Sequence, residues 1–277
     1  MKILVTGANG FLGRGIVDEI IKTGHTVVAA GFETNKVSSD AIRINGDMFE
    51  VADPYEYYGQ PDVLLHLAYK DGFVLNSEAH MQNLVQHTTF INKMVTSGIK
   101  QVAVMGTMHE IGFFEGSVDE NTPTHPMNFY GIAKNAIRDY TSVVTKNNDV
   151  IMQWLRAFYI VDGTAYGNSI FSKLFAAAER GDKTFPFTTG KSQYDFLDYG
   201  DFSRYVAAAV TQTEVQGIIN ISSGEPERLS DRVERFISDH HLNIKLDYGA
   251  FPDRPFDSKA IWGDDTKIQK ILSNQRK

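Results

Sequence analysis

Tyr130 and Lys134 stand four residues apart in the segment Tyr130-Gly131-Ile132-Ala133-Lys134. On a helix, positions i and i+4 share a face, so a phenol and an ammonium could meet in one cleft. A nearby ammonium favours phenolate, and the spacing predicts a Tyr130 pKa below the usual ~10. That would suit Tyr130 to acid–base work near neutral pH. Thr107 follows the apolar run Val102 to Gly106. A hydroxyl at the carboxyl end of a parallel strand can hydrogen-bond a substrate carbonyl. Taken alone, the Tyr130–Lys134 pair could equally be a surface contact on an amphipathic helix. It gains weight from the start of the chain.

That start reads Ile3-Leu4-Val5-Thr6-Gly7-Ala8-Asn9-Gly10-Phe11-Leu12-Gly13. The pattern predicts a buried strand, a sharp glycine turn and a helix with Ile16, Val17, Ile20 and Ile21 on its apolar face. The helix N-terminus offers unpaired N–H groups and the positive end of its dipole, which suits a pyrophosphate. The three glycines serve a tight turn, close backbone approach and close helix–strand packing. In this strand–turn–helix context the spacing predicts a dinucleotide site. An NAD enzyme usually places an acid at the end of the second strand, on the ribose 2′-hydroxyl. Here that end falls near Ala30-Gly31-Phe32, with no acid at the expected point. Arg14, Asn35 and Lys36 could meet a 2′-phosphate. NADPH is therefore expected over NADH, with Glu33 the residue that opposes the choice.

These groups need a scaffold to position them. The chain has 277 residues, 42% of them hydrophobic, which suits one large α/β unit or two smaller domains sharing a cleft. Its net charge of −7 and lack of basic blocks argue against a nucleic-acid partner. It has no cysteine, which excludes disulfides, thiolate catalysis and cysteine-ligated metal. No metal site is expected. His240-His241 close a helix, where cations suit the dipole. No apolar run approaches the ~20 residues of a membrane span, and the immediate opening strand leaves no room for a signal peptide. A soluble cytoplasmic protein is the expectation.

Strand patterns fall near 26–30, 41–45, 63–68, 101–106, 150–158 and 217–221. Helix patterns cover 78–97, 129–146, 169–180 and 230–240, the last with Ser230 as N-cap. Alternating βα units predict an α/β fold: a doubly wound parallel sheet of Rossmann type with a smaller mixed α/β substrate-binding lobe. Residues 1–163 are expected to form the dinucleotide-binding domain and 164–277 the lobe, with some late segments returning to the first. The stripes Phe129, Ile132, Ala133, Ala136, Ile137, Tyr140 and Leu84, Met94, Val95 read mostly as core.

Over nearly its whole length the chain resembles the extended short-chain dehydrogenases/reductases that act on nucleotide-sugars. Thr6 to Gly13 looks like their cofactor loop, Gly46-Asp47-Met48 like their adenine-contacting turn, and His66-Leu67-Ala68 like the strand under the cofactor. Asn83 sits where the family has a structural Asn. The resemblance implies that Thr107 is the hydroxyl of the triad, Tyr130 the acid/base and Lys134 the ribose-binding lysine. Cofactor contacts would come from Gly7, Asn9, Gly10, Phe11, Leu12, Gly13, Arg14, Lys36, Asp47, Met48, Leu67 and Ala68, with Tyr130 and Lys134. Substrate contacts would come from His109, Tyr159, Asn168 and Arg254. Asn220 to Gly224 and Arg254-Pro255-Phe256-Asp257 resemble late motifs of the lobe, whose arginine holds the diphosphate.

Two departures stand out. Tyr159 replaces the family's usual Asn. Tyr194-Asp195-Phe196 lacks an Arg often found before that Asp, so Arg254, helped by Lys173, Lys191 or Arg204, would carry more of the diphosphate charge. Gly106 to Gly112, with Tyr194 to Asp198, is similar to bacterial dTDP-4-keto-6-deoxyglucose reductases that make dTDP-fucose. The resemblance thus implies an NADPH-dependent reduction of the C4 ketone of a nucleotide-activated 4-keto-6-deoxy sugar, dTDP-linked, by a helix-bundle homodimer. The alternative is a nucleotide-sugar 4-epimerase or dehydratase. A dehydratase would carry an Asp-Glu pair after Thr107, where Met108-His109 stand and Glu110 alone is a weak substitute. A remote alternative is a non-catalytic dinucleotide-sensing binding protein.

Overall fold

The computed structural model describes residues 1–164, 169–253 and 258–275. The first half runs β1 (Lys2–Thr6), α1 (Phe11–Lys22), β2 (Thr26–Gly31), β3 (Ile42–Asn45), α2 (Pro54–Tyr57), β4 (Val63–His66), α3 (Ala79–Gln82), α4 (Leu84–Thr96), β5 (Gln101–Thr107), β6 (Gly116–Val118) and α5 (Phe129–Lys146). Then follow β7 (Ile151–Ala157), β8 (Tyr159–Val161), α6 (Ile170–Glu179), β9 (Thr184–Phe187), β10 (Gln193–Asp198) and α7 (Tyr199–Val210). The chain ends with β11 (Gly217–Ile221), β12 (Pro226–Arg228), α8 (Leu229–Asp239), β13 (Lys245–Tyr248), β14 (Ala260–Gly263) and α9 (Thr266–Gln275).

Seven strands form one parallel sheet in the order β11-β7-β5-β4-β1-β2-β3. The order reverses between β1 and β4, so a crevice opens at the carboxyl ends of those strands. Successive residues of β1 face opposite sides. Ile3 and Val5 join a core with α1, α7 and α9, while Leu4 joins another with α4 and α5. Burial on both faces is why β1 reads as a continuous apolar run rather than an alternating one.

The smaller sheet has the order β12-β10-β14-β6, with β8 added on β10. Its β10–β12 pair is antiparallel and its other pairs are parallel, so it is mixed. Its core gathers Phe171, Phe187, Phe196, Val233, Phe236 and Ile261. The chain weaves between the two sheets: β6 and β8 leave the first half for the small sheet, and β11 returns to the large one. No described helix is long and apolar enough to cross a membrane.

Three local expectations change. The helix expected over 78–97 divides into α3 and α4 at Asn83. Ser230 lies inside α8, whose N-cap is Arg228; the Ser230 hydroxyl bonds Asp231 instead. Of the α5 stripe, Ala133 and Ile137 are buried, but Phe129, Ile132 and Tyr140 are 41%, 38% and 37% exposed.

Candidate active site

Gly7 directly follows β1 with φ +68°, and a Cβ there would stand 2.7 Å from the backbone of Ala68. Gly10 is the N-cap of α1 and offers no side-chain cap. A Cβ on Gly13 would stand 2.5 Å from the Ala8 carbonyl oxygen. The turn is therefore closed by backbone alone, and the first-turn N–H groups of α1 have no intrahelical partner. Leu67 and Ala68 continue β4 against this turn, with Leu67 N donating to Thr6 O at 3.2 Å. Asn9 ties in the loop after β2: it accepts from Lys36 N at 2.8 Å and donates to Asn35 Oδ1 at 3.2 Å. This backbone cradle, which any larger residue would fill, fits a dinucleotide pyrophosphate.

The peripheral residues are less uniform. Lys36 is exposed, whereas Arg14 is partly buried and its Nε has no partner. Asp47 caps the turn over 48–50, accepting from Phe49 N at 2.9 Å. The Met48 side chain is buried in the core beside Phe90, so only its backbone is available there.

Thr107 ends β5, and Tyr130 and Lys134 lie on α5, capped by Asn128. A Cβ on Gly131 would stand 2.3 Å from His109 O, so Gly131 lets α5 press against the turn after Thr107. The Thr107 side chain hydrogen-bonds the Tyr130 phenol and also accepts from His109 N at 3.2 Å. Lys134 is buried. Its Nζ donates to Met105 O at 2.8 Å and lies 3.9 Å from the Tyr69 ring centroid and 5.9 Å from that of Tyr130.

The expected depression of the Tyr130 pKa is not found. Burial pushes the phenol up to about 12, partly opposed by the Thr107 hydrogen bond. Burial pushes Lys134 down to about 7, with the Glu110 carboxylate opposing. Desolvation dominates at both groups, and neither shift owes anything to the other member of the pair.

Glu110 turns its carboxylate into the core. It accepts from Thr107 N at 2.7 Å and from Trp154 Nε1, with Arg138 Nη1 at 3.5 Å and Arg156 Nη2 at 3.6 Å. Arg156 also donates to Asp119 O at 3.1 Å and to Asn220 Oδ1 at 3.4 Å. These contacts make Glu110 the pin of the Thr107 turn. They leave it no dehydratase-like role in the cleft.

Three aromatic side chains, Tyr69, His80 and His87, were not anticipated. The Tyr69 ring stacks between His80 and His87, at centroid distances of 5.4 and 5.1 Å, beneath the Lys134 ammonium. Behind it run buried contacts from Thr6 to His66 at 2.8 Å and from His66 to His87 at 2.9 Å. Burial lowers His66 strongly and His87 to about 3, so both are neutral. The loop before α3 clasps α5: Tyr130 N donates to Leu75 O, and His80 Nε2 pairs with Val74 O. The sequence did carry a hint, because His80 and His87 are seven residues apart and two helical turns bring them to one face.

On the substrate side, the His109 ring lies 5.8 Å from that of Tyr130. Tyr159 packs at 4.5 Å on Tyr194 and 5.6 Å on Phe196. Asp195 is buried and accepts from Ser223 N and Oγ, Gly224 N and Gly263 N, so it organises the lobe's turns. Arg204 is exposed and paired with Asp201. Asn168 and Arg254 lie outside the described residues. Among the described residues, no group of three or more His, Cys, Asp or Glu is placed to hold a metal ion.

Residues 3–222 match the NAD dependent epimerase/dehydratase family. A dTDP-6-deoxy-L-talose 4-dehydrogenase (NAD(+)) of Aggregatibacter actinomycetemcomitans is 39% identical over 272 residues, covering 95% of this chain and 99% of the relative. The solved UDP-N-acetylglucosamine 4-epimerase from Methanobrevibacter ruminantium M1, in complex with UDP-N-acetylmuramic acid, superposes with a TM-score of 0.84 at 18% identity, covering 98% and 91% of the two chains. The UDP-glucuronic acid 4-epimerase from Bacillus cereus, in complex with UDP-glucuronic acid and NAD, gives 0.80 at 21%, covering 99% and 93%. At such identities these two structures are alike in fold alone.

Proposed function

The chain belongs to the NAD dependent epimerase/dehydratase family, and from that premise we propose that it interconverts the C4 ketone and C4 alcohol of a dTDP-linked 6-deoxyhexose. The observation that carries this reading is the group at the carboxyl edge: buried Thr107 bonded to the partly buried Tyr130, with buried Lys134 one helical turn further on. The relative named as a dTDP-6-deoxy-L-talose 4-dehydrogenase supports it, since its reaction is the same redox couple written from the alcohol side.

A nicotinamide, when bound, supplies or accepts the hydride at C4. The chain's own residues handle the oxygen. The Tyr130 phenol, protonated up to about 12, donates its proton to the developing alkoxide. Thr107 hydrogen-bonds that same oxygen and orients the phenol. Lys134 is the residue for the nicotinamide ribose, and its charge steadies the phenolate left behind. His109 and Tyr159 face the sugar, with Asn168 and Arg254 assigned to substrate by family resemblance.

The NADPH preference expected from β2 has no support among the relatives, where NAD recurs. Glu33, exposed two residues past β2, is the acid available to a ribose 2′-hydroxyl. We therefore assign NAD(H). The exposed apolar side chains Val85, Phe129, Ile132 and Val143 on α4 and α5 support a homodimer through those helices.

The test is incubation with NADH and a panel of nucleotide-linked 4-keto-6-deoxy sugars, with product NMR. Oxidation of NADH in step with formation of a C4 alcohol is expected. Given the corresponding C4 alcohols instead, exchange of C4 epimers with no net cofactor turnover would mean a 4-epimerase.

A further inference from the structure

A side chain from beyond the first half of the molecule enters the first turn of α1. The Tyr199 hydroxyl donates to Phe11 O at 2.6 Å and accepts from Gly15 N at 3.0 Å. Phe11 O and Gly15 N are the i and i+4 groups that a helix ordinarily pairs with one another. The Tyr199 hydroxyl bonds both groups of that pair from the side, in a helix that runs unbroken from Phe11 to Lys22.

The arrangement depends on Gly15. A Cβ there would stand 2.8 Å from the Tyr199 hydroxyl oxygen and 2.6 Å from Ser203 Oγ. The Tyr199 ring also rests on Phe11, with centroids 5.0 Å apart. Burial raises its phenol pKa, so it acts as a neutral donor and acceptor throughout the working range.

Tyr199 opens α7 and directly follows β10, the strand that carries Asp195 and Phe196 and pairs with β8. Its hydroxyl therefore joins the small sheet to the turn whose free N–H groups form the pyrophosphate cradle. We infer that Tyr199 is a positioning residue for the dinucleotide: bridging Phe11 and Gly15, it sets the direction of the N–H groups at the N-terminus of α1. The inference rests on reading the Gly7–Gly13 turn as the dinucleotide site.

Tyr199→Phe keeps the ring on Phe11 and removes the bridge. The affinity for NADH is read by fluorescence titration, alongside kcat, both KM values and Tm. The expected result is a three- to tenfold rise, on the order of one lost hydrogen bond, in Kd and KM for NADH. The kcat, the KM for the sugar and the Tm stay at parent values. Gly15→Ala displaces the phenol and should give the same loss. The double variant should lose no more than either single one, since both remove one interaction.

Parent-like NADH affinity in Tyr199→Phe overturns the inference. So does a loss in which kcat, both KM values and Tm worsen together, as a merely structural residue would give. Gly7→Ala separates the two levels. A folded Gly7→Ala protein that binds NADH normally overturns the underlying site reading, and the inference with it.

Discussion

Trp154 Nε1 reaches both oxygens of the Glu110 carboxylate, at 2.8 and 2.9 Å. Gly106 makes room for the indole: a Cβ there would stand 2.1 Å from Trp154 Nε1. The same carboxylate holds the Thr107 amide. The residue whose hydroxyl bonds the Tyr130 phenol is thus held through its amide by a fully buried carboxyl group.

Glu110→Ala should be costly. It removes the ion-pair partner of Arg156, which is fully buried. Removing one partner of such a pair costs about 3–5 kcal/mol. Urea unfolding followed by tryptophan emission measures it. A midpoint equal to that of the parent protein would show that the network adds nothing.

Tyr130→Phe removes the proton donor and keeps the ring against Tyr69 and His80. Turnover should fall by about 10²–10⁴-fold, while NADH titrations give the parent affinity. Turnover within a few-fold of parent would remove Tyr130 from the chemistry.

The pH profile follows from Lys134, which burial brings down to about 7. The ammonium exists below that value and is lost above it. In the proposed reaction the charge steadies the phenolate formed as Tyr130 gives up its proton, so kcat/KM for reduction should fall as pH rises through about 7. Tyr130, raised to about 12, stays protonated across this window and contributes no limb of its own. A reductive kcat/KM that is flat or rising through neutral pH counts against Lys134 in this role.

Cofactor choice can be read directly. NADH should support faster reduction than NADPH at equal concentration, and Glu33→Gln should weaken NADH binding and narrow the gap. A clear NADPH preference in the parent would reinstate the expectation drawn from the missing acid on β2.

The parts legible in the sequence are those governed by short-range periodicity. The glycine spacing that closes the β1–α1 turn, the apolar run of β1 and the four-residue interval from Tyr130 to Lys134 each follow from the repeat of one strand or one helix. α5 spans 129–146 as the pattern predicts. The Tyr69–His80–His87 stack was half legible, through the spacing of its two histidines, but nothing local said that Tyr69 would lie between them.

What the sequence alone determined is which groups exist and which share a turn: a phenol, an ammonium, a hydroxyl at a strand end and a backbone cradle. Tertiary structure decided their ionisation and their supports. Trp154 meets Glu110, and Tyr199 enters α1, across long stretches of chain, because the parallel sheet and its crossovers bring remote segments together. The pKa values of Tyr130 and Lys134 moved opposite to the expectation for an isolated pair. How much water remains around a charge depends on every element packed over it, and no local spacing encodes that.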